Sequence, residues 1–94
     1  MLEYLKTHIL EEIDGAIDYM MKAIENRGTT HGVQFYKMSE MEVEHANCLT
    51  KMFNSIEKPD SITDSEYAKM NKEIMEKYSA SMSKLEVLKK LYWS

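Results

Sequence analysis

A carboxylate and an imidazole, Glu42 and His45, stand three positions apart in a stretch of helix-forming residues. Residues three apart project from the same face of a helix, so this pair can bind a single metal ion. A second carboxylate, Glu12, precedes Glu42 by thirty residues. The Glu-x-x-His spacing alone is a weak signal, because chance matches are frequent in acidic helical sequences. The setting of the three residues therefore decides how the pattern is interpreted.

All three residues interrupt apolar series that recur at alternating steps of four and three. This spacing is typical of the seam along which one helix packs against another. The first series is Leu5, Ile9, Glu12, Ala16, Tyr19 and Ala23, and the second is Phe35, Met38, Glu42, His45, Leu49 and Met52. An ionised carboxylate in such a seam is costly unless it is paired, and neither series contains Lys or Arg. A divalent cation removes that cost, because it binds carboxylate oxygens and neutral imidazole.

The alternative interpretation rotates the second helix, so that Met41, Cys48 and Leu49 face inward and the Glu-x-x-His pair is solvated. Cys48 is the only cysteine, so it forms no intramolecular disulfide, and we expect a small buried apolar residue there. Glu12 is a carboxylate in the other seam, at the same height as Glu42 and His45. Its position favours the metal site over this alternative.

Two breaks in the sequence divide the chain into three helical segments. Gly28 is well placed to end a helix, and Pro59 stops the next one. Three glycines and one proline leave little turn chemistry, so we predict an all-α fold in one domain, residues 1–94. The predicted helices are 2–26, 31–57 and 64–92. Because the first connection is short, the first two helices should form an antiparallel hairpin, residues 2–57.

In that hairpin the three candidate ligands lie at a common level. With a rise of about 1.5 Å per residue, Glu12, Glu42 and His45 come within roughly 6 Å of one another along the helix axes. One hairpin supplies three ligands and half of a four-helix bundle. Two hairpins related by a two-fold axis would supply four Glu and two His, the ligand set of di-iron carboxylate bundles. We therefore predict a homodimer with its metal ions at the interface.

Three further residues near Glu12 have two interpretations each. Tyr19 lies two turns along the same face, where its hydroxyl could bond a ligand carboxylate or relay an electron. Packing in the core with a satisfied hydroxyl is an equal alternative. Glu11 and Asp14 belong to an acidic ridge that is either an access path for cations or a solvated face, and the solvated face is the more common case.

Charge and hydropathy exclude several classes of partner. The net charge is −4, and the whole acid excess lies in the first 58 residues, so nucleic acid, which needs a clustered basic face, is not expected. The third helix is amphipathic and rich in Lys, but five acids are interspersed, so we expect it to dock on the protein and not on a membrane. No signal peptide or bilayer-spanning apolar run is visible, and a cytoplasmic location is expected.

The segments EEIDGAIDY (residues 11–19) and EVEHA (residues 42–46) resemble the ferritin-like superfamily, most closely the encapsulated ferritins, which are short half-ferritin chains. The resemblance covers roughly residues 5–55. It implies a ferritin-like four-helix bundle with a ferroxidase centre at a two-fold interface. Glu12, Glu42 and His45 of each subunit would bind two irons there, with Glu42 bridging them.

The resemblance also implies an activity and an assembly. Fe(II) would be oxidised to Fe(III) by dioxygen, for iron storage or detoxification, and the dimers would join into a larger ring. Acidic residues at the positions of Glu11 and Asp14 would bind metal on its way to the centre. Members of this family usually end in a flexible tail that targets an encapsulin shell, whereas this chain ends in a predicted helix and shows no such tail. The second hypothesis is a helical assembly module whose metal site is catalytically silent.

Overall fold

The computed structural model describes residues 1–94 as three α-helices without a β-strand. Helix α1 spans Leu2–Glu25, α2 spans Thr30–Ser55 and α3 spans Asp64–Trp93. The all-α class, predicted from the low Gly and Pro content, is confirmed. Every helix begins and ends within two residues of its predicted boundary.

Local capping explains where the helices begin. The Thr29 hydroxyl accepts a hydrogen bond from the Gly32 amide at 3.1 Å, and Thr63 caps α3 in the same way by accepting from the Glu66 amide at 3.1 Å. Gly28, between α1 and α2, has a φ of 83°, in the left-handed region that favours glycine. The chain therefore reverses direction between α1 and α2 in only four residues.

Helix α1 lies between the other two and is the only helix whose backbone approaches both of them. It is antiparallel to α2. Helix α3 runs parallel to α1, because Met70 and Ile74 at its start pack with Leu2 and Leu5, whereas Tyr92 at its end packs with Ala23. The result is an elongated bundle of 52 × 18 × 15 Å.

The face that α2 turns toward α1 differs from the predicted seam. Its fully buried residues recur every seven positions: Gly32, Ser39, Ala46 and Phe53. The sequence predicted that Met38, Leu49 and Met52 would be buried, but Met38 and Met52 are 37% and 49% exposed, and Leu49 is only partly buried. Small side chains at Gly32, Ser39 and Ala46 let the two helices approach closely, so the helix is rotated by about one position relative to the prediction.

The alternative orientation of α2 is wrong for two of its three inward residues, whereas Leu49 is partly buried against the core. Met41 and Cys48, which that alternative placed inside, are both exposed. The expectation that Cys48 is buried is therefore wrong, because the Ser39 and Ala46 stripe faces α1 and directs position 48 outward.

Helix α3 docks against the hairpin, as predicted from its interspersed acids. Lys6 pairs with Glu73 at 2.8 Å, and Asp14 pairs with Lys77 at 2.7 Å. At the far end, Arg27 donates a hydrogen bond to the Leu91 carbonyl at 2.6 Å and so closes the last turn of α3. None of the three helices is long and apolar enough to cross a membrane.

Candidate metal centre

Three side chains from two helices meet on one side of the hairpin. Helix α1 contributes Glu12, and α2 contributes Glu42 and His45. One ligand atom of each lies within 4.8 Å of the others, and no other group of His, Cys, Asp or Glu in the chain is so arranged. The structure therefore brings together the three residues singled out by their spacing.

Packing next to the site sets the register between the two helices. The Ser39 hydroxyl donates a hydrogen bond of 2.6 Å to the Ala16 carbonyl, and both residues are fully buried. Ser39 precedes Glu42 by three residues, and Ala16 follows Glu12 by four, so the bond lies one helical turn from both carboxylates. It thereby fixes Glu12 and Glu42 opposite each other.

The distances from His45 are compatible with a shared metal ion. Its Nδ1 atom lies 3.7 Å from Glu12 Oε2 and 3.8 Å from Glu42 Oε1. Ligand atoms bound to one ion at about 2.1 Å can be no more than about 4.2 Å apart, so both separations meet this limit. Two carboxylates and an imidazole suit Fe, Mn or Zn, and three protein ligands leave coordination positions open.

The carboxylates lack the donors that two negative charges need. When both carboxylates are ionised, the buried Glu12 Oε2 has no hydrogen-bond donor. The pKa of Glu42 is raised to about 7, first because it shares a proton with Glu12, then because it is partly buried and repelled by the charge on Glu12. His45 opposes this rise, but its effect is the smallest. Two ionised carboxylates this close to each other are unfavourable unless a proton or a cation lies between them.

The site opens onto a face of the hairpin that α3 leaves uncovered. The His45 side chain is 54% exposed, and Met38, Met41 and Met52 on the same side of α2 are also exposed. Helix α3 contacts α2 elsewhere: Tyr78 donates a hydrogen bond to Asn47, and Trp93 donates one to Tyr36. We call the uncovered side, formed by Glu12, Glu42, His45 and the three methionines, the open face.

Tyr19 lies on α1, seven residues after Glu12. Its ring stacks on Phe35 with centroids 6.2 Å apart, and the side chain is partly buried. Its hydroxyl forms no hydrogen bond with Glu12 or Glu42. The ring thus packs in the fold, whereas neither hydrogen bond considered for the hydroxyl, to a ligand carboxylate or to a partner in the core, is present.

Glu11 and Asp14, interpreted as either an access path for cations or a solvated face, pair with different residues. Glu11 Oε2 lies 3.4 Å from Nδ1 of His8, one turn earlier on α1. Asp14 faces α3, where it pairs with Lys77. Neither carboxylate joins the three-residue cluster.

Sequence reasoning missed one residue that shapes the site. A Cβ atom at Gly15 would lie 2.8 Å from Glu42 Oε2, so the glycine leaves the space in which that carboxylate lies. The signal was present in the sequence, because glycine is unfavourable inside a helix and Gly15 follows Glu12 by three residues.

No protein-family model, curated protein or solved structure matches the chain. A function is therefore inferred from the side chains and their geometry.

Proposed function

We propose that the chain is a ferritin-like di-iron protein that oxidises Fe(II) to Fe(III) with dioxygen, at a site shared between two subunits. Glu12, Glu42 and His45 of each subunit bind the iron, which is the substrate. The observation that carries the proposal is the meeting of these three side chains, with a buried Glu12 oxygen that has no hydrogen-bond donor.

A divalent cation satisfies this cluster better than a proton does. One shared proton neutralises one of the two carboxylates and leaves the other charged. A dication neutralises both and still accepts the lone pair of the His45 imidazole. Metal binding therefore displaces the proton that Glu42 retains because of its raised pKa.

The partner proposed for the open face is a second copy of the chain. A single chain supplies only three ligands, and the exposed methionines beside them form an apolar surface that water solvates poorly. Two copies related by a two-fold axis bring four carboxylates and two imidazoles to the interface. Four negative charges balance two divalent ions, so the pairing is also favourable in charge.

Iron is favoured as the substrate by the chemistry of the donors and by the ferritin-like segments. Anionic oxygens stabilise Fe(III) more than Fe(II), because the higher charge interacts more strongly with them. Such a site therefore favours the loss of one electron from each iron. Two irons held together supply two electrons, the number that converts dioxygen and two protons into hydrogen peroxide. The segments at residues 11–19 and 42–46 that resemble encapsulated ferritins favour iron over Mn or Zn.

The test is Fe(II) oxidation in air, followed by ferric absorbance. We expect a rapid signal from the wild type that Glu42→Ala loses. Glu44→Ala is the matched control, because Glu44 lies two residues away on α2, is exposed and is not a member of the cluster. It should retain the wild-type rate. Equal slow traces from all three proteins would contradict the ferroxidase proposal and favour a catalytically silent assembly module.

A further inference from the structure

Gly15 lies near the middle of α1, where Glu42 reaches across from α2. A Cβ atom at this position would meet Glu42 Oε2 at 2.8 Å and Cδ at 3.5 Å. The first distance is shorter than van der Waals contact, so any larger residue would displace the carboxylate. Glycine is unfavourable inside a helix, yet it stands at the position of α1 that faces the Glu42 carboxylate.

The other two glycines have different surroundings. Gly28 adopts a positive φ in the turn, and a Cβ there would touch nothing. A Cβ at Gly32 would clash with the backbone of Asn26, so that glycine permits close approach of the chain itself. Only Gly15 makes space for a side chain of the candidate site.

The absence of a side chain at Gly15 leaves room for one of the two oxygens of Glu42. Oε2 occupies the space beside Gly15, one turn from Glu12, and Oε1 lies 3.8 Å from His45 Nδ1. A single carboxylate thus connects the acidic residue of α1 with the imidazole of α2. A shift of this group away from α1 would separate it from Glu12.

We infer that Gly15 is a positioning residue, which sets the location of the Glu42 carboxylate and through it the affinity and geometry of the metal site. This inference rests on the proposed function for the identity of the ligands. It assigns no direct metal contact to Gly15.

The test compares Gly15→Ala with the wild type by Co(II) titration. Displacing a ligand without removing it should weaken Co(II) binding about 10- to 100-fold, the range typical of residues that orient metal ligands. The visible Co(II) spectrum should also change, because the carboxylate approaches the ion from a new position. The metal-free Tm should stay the same or rise, because Ala favours helix and Glu42 can swing aside. Thr7→Ala, an exposed change on the same helix, controls for helix propensity.

Shortening the carboxylate side chain provides a second variant. Glu42→Asp removes one methylene group and withdraws the carboxylate from position 15. In the Gly15→Ala background this change should weaken Co(II) binding by less than it does in the wild type, since the two substitutions act on one contact. Additive losses would overturn the inference. So would an unchanged Co(II) affinity and spectrum in Gly15→Ala, or a fall in Tm as its sole effect.

Crystal structures of the metal-free wild type and Gly15→Ala separate this inference from the proposed function. The inference expects the Glu42 carboxylate to move away from α1 and from Glu12 in the variant. An unmoved carboxylate would overturn it. If the wild type binds no Co(II), the proposed function fails, and the displacement of Glu42 still decides the role of Gly15.

Discussion

Two acids only two residues apart on α1, Glu12 and Asp14, have opposite surroundings. Asp14 faces α3 and pairs with Lys77 at 2.7 Å. Glu12 lies on the open face, where its neighbours are a second carboxylate and His45, and one of its oxygens has no donor. The covered side of the hairpin thus satisfies its charges within the chain. On the open face, a buried oxygen of Glu12 has no partner within the chain.

From this contrast we expect metal binding and folding stability to depend on different sides of the hairpin. The covered side can lose a charge with a modest effect on the fold, because exposed ion pairs contribute little. The open face holds like charges together, which is unfavourable without a counter-ion. We expect substitutions on the two sides to have separable effects on metal binding and on folding.

The largest expected effect is the loss of metal binding when a ligand on the open face is neutralised. Glu42→Gln keeps the shape of the side chain but removes its charge, so Zn(II) affinity should fall by at least about 100-fold. Asp14→Asn is the matched control on the covered side and should leave the equilibrium affinity unchanged. Calorimetry with a competing chelator measures both. Equal losses in the two variants would contradict the division between the faces.

The next effect concerns the pH dependence of folding in the metal-free protein. The pKa of Glu42 is raised to about 7 in the fold, chiefly by its hydrogen bond with Glu12, whereas the ordinary glutamate value is 4.5. The folded state therefore holds the proton of Glu42 more tightly than the unfolded state. Its contribution is fully present below pH 4.5 and is lost as pH rises through about 7. The loss is up to about 3 kcal/mol.

Urea denaturation of the wild type and Glu42→Gln between pH 4 and 8 measures this contribution. The stability of the wild type relative to the variant should fall over that range, and Zn(II) should restore it at pH 7.5. A difference that is constant with pH would show that the two carboxylates do not share a proton.

A smaller effect is expected on self-association. Met38→Lys places a charge on the open face, so it should weaken the metal-loaded dimer by about tenfold or more. Met75→Lys is the control, since Met75 is 61% exposed on α3, away from the site. Sedimentation equilibrium with Zn(II) present measures both dissociation constants. A dimer that is weakened only by Met75→Lys would place the interface on α3.

The smallest effect is expected at the ion pair between α1 and α3. The Lys6 hydrogen bond lowers the pKa of Glu73, and this bond also raises the pKa of Lys6. The stabilisation from Glu73 is therefore present at neutral pH and is lost as pH falls through the lowered value. Glu73→Gln should lower Tm slightly, and less so in high salt, which screens the pair. Zn(II) affinity should not change, and a change would link α3 to the site.

Much of the fold was predictable from the sequence because its signals are local. Gly28 and Pro59 stop helices by their own backbone properties, whatever the rest of the chain does. The meeting of Glu12, Glu42 and His45 was predictable because a short turn forces an antiparallel hairpin, and counting residues from that turn gives their heights.

The errors came from features that depend on long-range packing. Two neighbouring stripes of α2 compete for the interface, and hydrophobicity favours Met38 and Met52 over Ser39 and Ala46. Close approach of the helices favours the small residues instead, an effect that hydropathy does not express. The partner of Asp14 depends on how α3 docks, so Lys77 could not be identified from α1 alone.

The most direct test of the central claim is a crystal structure of the protein grown with Fe(II) or Co(II), with the metal located by anomalous scattering. We expect two ions at an interface between two copies of the chain, bound by Glu12, Glu42 and His45 of both. A structure in which these side chains extend into solvent, with no metal and no neighbouring subunit, would contradict the account.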